Sequence, residues 1–370
     1  MSRMLAGRIA RGGAIEPGWI EIESGVVAGS GAGAPPREPD DAVAGILAPG
    51  LCDLQLNGAG GHEVGGGAGA LDAIDRIALA HGVTSYLPTL LSPDDATAAR
   101  VLGELEARAG DPRSPVRGAH VEGPFLSPRR AGAHPLERLR VPADGVPAWL
   151  DSPAIRVVTL APELPGALEL IDRLAARGVA VALGHSDADA AVARAAIDAG
   201  ATLITHLFNA MAPLGHREPG LAGVALVDER VRVGIIADGV HLDAAILELI
   251  RQAAGPRVVL VSDATPAAAA PPGRYRMAGT VVEADAAGAA RTPEGTLAGS
   301  TLMLDGAVRR FAAATGATLA AAIAAATEAP AAAIGLPAPL EPGSPADLVE
   351  LDDEGRVTRT TIAGRWAAAA

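Results

Sequence analysis

The chain contains no lysine: all 30 of its basic residues are arginine. That excludes Schiff-base catalysis on a lysine, a phosphate loop of the Gly-Lys-Ser type, and a carbamylated lysine bridging two metals. Cysteine is nearly as scarce. Cys52 stands alone, which rules out an internal disulfide framework and fits a reducing, cytoplasmic setting. Aromatic residues are 2% of the chain, so the core must be packed from Ala, Val, Leu and Ile. Long apolar runs are missing too. Those present are mostly Ala, or are broken by Gly, Pro and charge, so no membrane span is expected. The segment Met1–Arg8 has no sustained apolar stretch, so no signal peptide is expected. The formal net charge is −13, which argues against non-specific binding to nucleic acid or to an anionic membrane.

What remains is enough for a large core. The chain has 370 residues and is 49% hydrophobic, a size suited to a barrel with an appended module. Eight segments are strand candidates: Leu51–Leu56, Thr84–Leu87, Val116–Val121, Val157–Leu160, Val179–Leu183, Ala201–Thr205, Val231–Ala237 and Arg257–Ser262. Helical stretches separate them, such as Pro93–Arg108, Gly166–Arg177, Ala188–Ala199 and Leu242–Ala253. Ser92 is the expected cap of the first, with Pro93 at its first position. Ala312–Ala326 reads as one more helix, because Leu319 and Ile323 recur at helical spacing. Both chain ends are β-like. Ile20 and Ile22 alternate with Glu21 and Glu23, and Ala346–Leu351 and Arg356–Ile362 flank the turn signal Asp352-Asp353-Glu354-Gly355. The expected fold is therefore α/β: a (β/α)8 TIM-type barrel over residues 48–336, and a small β-sandwich domain formed by residues 1–47 and 337–370.

In such a barrel, functional residues stand at the C-terminal strand ends. His185 and His206 close two successive strands of a βαβ unit and are the expected metal ligands. The third strand ends in His120-Val121-Glu122 and the eighth in Asp263. Two imidazoles and a carboxylate leave one position open, which is the composition of a catalytic zinc site. Glu122 is the third ligand, and Asp263 the proton shuttle. His120 shares a strand face with Glu122 but lies deeper, as a structural residue. His62 and His81 are read as ordinary surface or packing residues.

The residues around these positions carry a resemblance. Ala48-Pro49-Gly50-Leu51-Cys52-Asp53-Leu54-Gln55-Leu56-Asn57-Gly58, His120-Val121-Glu122-Gly123-Pro124-Phe125, Gly132-Ala133-His134, Leu183-Gly184-His185-Ser186, Thr205-His206-Leu207-Phe208-Asn209-Ala210-Met211, Arg217-Glu218-Pro219-Gly220, Ala237-Asp238-Gly239-Val240-His241, Ser262-Asp263-Ala264-Thr265 and Leu297-Ala298-Gly299-Ser300 occur in one order. Together they resemble the N-acetylglucosamine-6-phosphate deacetylase family of the amidohydrolase superfamily. The resemblance implies hydrolysis of N-acetylglucosamine 6-phosphate to acetate and glucosamine 6-phosphate. The galacto epimer and a cyclic amide are the alternative substrates. It implies Glu122, His185 and His206 as metal ligands, Asp263 as acid/base, and His134 on the reacting amide. Ala133, Asn209 and Ala210 match substrate contacts. Arg217 and His241 match the sugar-phosphate grip, part of which the neighbouring subunit of a homodimer supplies. Leu297, Ala298 and Gly299 match a loop that closes on the substrate. Many superfamily members carry His-x-His at the end of the first strand for a second metal. Here that position reads Gln55-Leu56-Asn57, and amides are poor zinc ligands, so one divalent ion per subunit is expected. Zn2+ suits the ligand set best; Fe2+, Mn2+ and Co2+ also fit it.

Overall fold

Eight short runs rich in Val, Ile, Leu and Ala line up in chain order as one parallel sheet. They are Leu51–Leu56, Val83–Leu91, Ala119–Glu122, Ile155–Leu160, Ala180–Leu183, Ala201–Ile204, Arg232–Ile236 and Val258–Val261. The structure, a computed structural model, describes residues 2–367. First and last strands meet at the mouth of the barrel: Asp263 N–H donates to the Gln55 carbonyl at 2.9 Å and Asn57 N–H to the Ala264 carbonyl at 2.8 Å. A buried carboxylate spans the same seam, with Asp53 Oδ1 accepting from Ser262 N–H at 3.1 Å. Burial lifts the Asp53 carboxyl to about 7.

The barrel interior is a packed core. Cys52, Leu54, Leu87, Val157, Ala182, Leu203, Ile236, Val259 and Val261 fill it, and Ala329 and Ile334 plug its lower end. Helices cover the outside, and several are capped by an acid before the first turn. Asp189 accepts from Val192 N–H and Asp243 from Ala245 N–H, each at 2.8 Å. Arg257 joins three elements. Its guanidinium donates to the carbonyls of Ala225 (3.0 Å), Leu226 (2.6 Å) and Val231 (2.9 Å), and no carboxylate pairs with it among the described residues. The helix Gly220–Val227 ends on those first two carbonyls. Arg257→Ala is expected to lower stability by about 1–3 kcal/mol, measured by urea unfolding, with turnover unchanged below the melting range.

Three sequence expectations are corrected. The helix after the second strand runs Asp95–Ala109 and is capped by Asp94, whose side chain accepts from Thr97 N–H at 2.8 Å. Pro93 precedes the cap, and Ser92 faces the barrel mouth instead. The stretch 312–326 is two helices, Leu304–Ala314 and Leu319–Ala325, because Thr318 caps the second and restarts the chain. Finally, Leu297, Ala298 and Gly299, expected as a loop, lie in the last strand of a four-stranded antiparallel sheet, Gly273–Met277, Thr280–Ala284, Ala289–Arg291 and Leu297–Ser300. Met277, Val282, Ala290 and Ala298 form its core, and Leu91 and Ala133 of the barrel pack against it.

Chain ends combine into a seven-stranded sheet in the order Arg365–Trp366, Val357–Ile362, Leu348–Leu351, Asp41–Pro49, Arg3–Arg11, Ala14–Glu23, Val26–Ala32. Its far edge bends back: Val27 N–H donates to the Ser344 carbonyl and Ala346 N–H to the Gly25 carbonyl, each at 2.9 Å. The sheet thus wraps a core of Leu5, Ile9, Ile20, Ile22, Val27, Val43, Leu47 and Leu348. No helix among the described residues is long and apolar enough to cross a membrane.

Candidate active site

Three residues at the strand ends hold an unusual backbone conformation. His185, His206 and Asp263 have φ of +48°, +28° and +46°. For residues with a side chain this costs on the order of 1–2 kcal/mol each. The turn takes the chain out of each strand and leaves the side chain in the barrel mouth. Neighbours enforce it. After His185, the Glu163 carboxylate accepts from Ser186 Oγ–H and Asp187 N–H, each at 2.7 Å.

The two histidines and Glu122 converge on one point. His185 Nε2 lies 3.1 Å from Glu122 Oε1 and 3.1 Å from His206 Nε2, and His206 Nε2 lies 3.1 Å from the same carboxylate oxygen. The His185 Nδ1 is 2.8 Å from the Arg130 carbonyl, which can only accept. The ring proton therefore sits on Nδ1, and Nε2 is a bare lone pair. His206 Nδ1 is buried without a partner among the described residues. Three electron-rich atoms thus share at most one proton. That surplus of lone pairs is what a divalent cation satisfies, and the buried Glu122, His185 and His206 set can bind one. Burial pushes the Glu122 carboxyl up, but the imidazoles of His134, His185 and His206 gathered around it overcome that and hold the group well below the usual carboxylate range.

Asp263 stands beside this set. One amide nitrogen, Gln55 Nε2, lies 3.2 and 3.1 Å from the two Glu122 oxygens and 3.1 Å from Asp263 Oδ1. Asn57 Nδ2 donates to the same Asp263 oxygen at 2.7 Å. The two amides are hydrogen-bond donors to carboxylates. Burial, with the Glu122 charge adding to it, raises the Asp263 carboxyl to about 6. His134 Nε2 faces Glu122 Oε2 at 3.8 Å, and its Nδ1 is 2.8 Å from Ser92 Oγ.

Asn57, Glu122, His134, His185, His206 and Asp263 line a cavity of about 380 Å³, together with Ala133, Asn209, Ala210, His241, Leu297, Ala298 and Gly299. The last three belong to the fourth strand of the small inserted sheet, which roofs the cavity. His241 is held by Asp238, its Nδ1 2.7 Å from Oδ2. Arg217 is not brought into this cavity; it is exposed on the loop before the helix Gly220–Val227. Arg129 and Arg130 do line it, but both guanidinium groups pair with Asp187. His120 is structural, as expected: Nδ1 bonds the Leu54 carbonyl at 3.0 Å and Nε2 the Thr159 hydroxyl at 2.8 Å. His81 bonds Asp305, and His62 is exposed. Sequence reasoning missed Ser92 and Glu163. Pro93 and the helix after it made Ser92 look like a cap, and nothing beside Glu163 in the chain marks it.

A family model for the amidohydrolase family matches residues 46–367. The chain belongs to the amidohydrolase family. Among its relatives, an N-acetylglucosamine-6-phosphate deacetylase from Bos taurus is 40% identical over 342 residues, covering 86% of this chain and 82% of that one. An N-acetylgalactosamine-6-phosphate deacetylase from Escherichia coli is 38% identical over 370 residues, covering 95% and 96%. The solved structure of an N-acetyl-D-glucosamine-6-phosphate deacetylase from Mycobacterium smegmatis, in complex with N-acetyl-D-glucosamine-6-phosphate, superimposes with a TM-score of 0.92. It is 37% identical, covering 99% of each chain.

Proposed function

We propose that this chain hydrolyses N-acetylglucosamine 6-phosphate to acetate and glucosamine 6-phosphate. The observation that carries the reading is the meeting of Glu122, His185 and His206 within 3.1 Å of one another, with Gln55 tying Asp263 alongside. Relatives with this activity, 40% identical over most of the chain, support it. In this reading the three residues hold one divalent cation per subunit, Zn2+ by preference because the donors are two imidazoles and a carboxylate. When bound, the ion would acidify a water and polarise the amide carbonyl. His134 donates a hydrogen bond to the carbonyl oxygen as charge builds there. Asp263 takes a proton from the attacking water and hands it to the departing nitrogen, so that acetate and the free amine leave. Ala133, Asn209, Ala210 and His241 orient the sugar, and Leu297–Gly299 cover it. Residues 48–336 are the catalytic unit and residues 1–47 with 337–370 the small domain, in a cytoplasmic protein.

The phosphate calls for a local cation, because a chain of net charge −13 repels it at long range. Arg217 is exposed, and its planar fork suits phosphate oxygens. Its exposed position outside the cavity fits a homodimer in which each subunit lends this arginine to its neighbour. Arg217→Ala is expected to raise KM roughly 10- to 100-fold for the phosphorylated sugar and little for N-acetylglucosamine, as a charged hydrogen bond of about 1.5–3 kcal/mol dictates. Steady-state kinetics on both sugars decides, and equal effects on the two would contradict the role. The galacto epimer is the second reading, favoured by the Escherichia coli relative that covers 95% of this chain. Acetate release measured side by side on the two sugar phosphates separates them. Release from neither would overturn both readings.

A further inference from the structure

We propose that Ser92 is a positioning residue that fixes the tautomer of His134, so that Nε2 carries the proton and faces the reacting carbonyl. The proposal rests on the role given to His134 above. Ser92 is fully buried, directly after the second barrel strand, and its hydroxyl has one partner among the described residues, His134 Nδ1 at 2.8 Å. A hydroxyl has a single proton to place. Were Nδ1 to carry the ring proton, it would donate to Oγ and leave the hydroxyl hydrogen buried without an acceptor. With the hydroxyl donating, Nδ1 is the acceptor and the ring proton sits on Nε2. That nitrogen looks toward the Glu122 carboxylate, 3.8 Å away, on the side where the three ligands meet.

The backbone is built to hold the hydroxyl there. Ser92 has φ +36°, a conformation few residues with a side chain adopt. Its N–H donates to the Glu122 carbonyl at 2.8 Å, tying it to the metal-ligand strand. Gly123 leaves the space for the hydroxyl, since a Cβ there would stand 2.5 Å from Ser92 Oγ. The hydroxyl is also spare, because Asp94 caps the following helix.

The test uses zinc-loaded full-length protein labelled with 15N histidine. Long-range proton–nitrogen spectra report which ring nitrogen is protonated, and His134→Gln assigns the signal. Wild type is expected to carry the His134 proton on Nε2. Ser92→Ala and Ser92→Gly should bring up the Nδ1-protonated form and cut kcat about 10- to 100-fold, with KM and bound zinc unchanged. Ser92→Gly relieves the positive φ, so folding is no obstacle there. A wild-type proton on Nδ1 would overturn the proposal, as would variants with unaltered tautomer and kcat. If wild type released no acetate while the tautomer still depended on Ser92, the deacetylase reading would fail and the Ser92 assignment would stand.

Discussion

Asp263→Asn is expected to leave metal bound and the fold intact while kcat falls roughly 10²- to 10⁴-fold, the usual yield of a positioned acid/base. Asparagine matches aspartate in shape and tolerates the φ of +46° at this position. Its Oδ1 can still accept from Gln55 Nε2 and Asn57 Nδ2, which lie 3.1 and 2.7 Å from the native oxygen. What it cannot do is take up a proton. Burial raises the native carboxyl to about 6, close to the range in which a group can both take and give a proton near neutral pH. Metal content and acetate-release kinetics measured on one preparation check the result. Near-normal turnover in this variant would assign the proton transfer to another group.

The second large effect concerns the ligand set. His206→Ala should abolish acetate release and weaken metal binding by more than the roughly 10- to 100-fold that loss of an outer-shell partner costs. The reason is the three-way contact: with His206 gone, only Glu122 Oε1 and His185 Nε2 remain, 3.1 Å apart. Thermal melting with and without a chelator gives a readout independent of activity. A ligand that binds only the folded state stabilises it by mass action, so chelation should lower the wild-type melting temperature and leave that of the variant unmoved. A variant whose melting responds to chelator as the wild type does would place the metal elsewhere.

The barrel was legible because its pattern is local. Val258–Val261 and Ala180–Leu183 are apolar runs of strand length, and each is followed within a few residues by a polar side chain at the barrel mouth. Glu122, His185, His206 and Asp263 could be named for the same reason. What escaped depends on long-range contact. Ser92 and Pro93 look like a helix start, and only the fold turns the hydroxyl toward a histidine 42 positions away. Glu163 serves a turn 23 and 24 residues on. The roofing sheet between Gly273 and Ser300 was hidden because its strands are as short as three residues and broken by Gly and Ala. The long alanine stretch misled in the opposite way, since a capping Thr318 divides a run that composition alone makes continuous.

One titration goes to the heart of the account. Metal-free protein receives Zn2+ in steps while acetate release from N-acetylglucosamine 6-phosphate is followed. Activity should climb from background and level off at one ion per chain. Acetate release by the metal-free protein, a plateau only at two ions, or silence at every loading would contradict a single cation held by Glu122, His185 and His206.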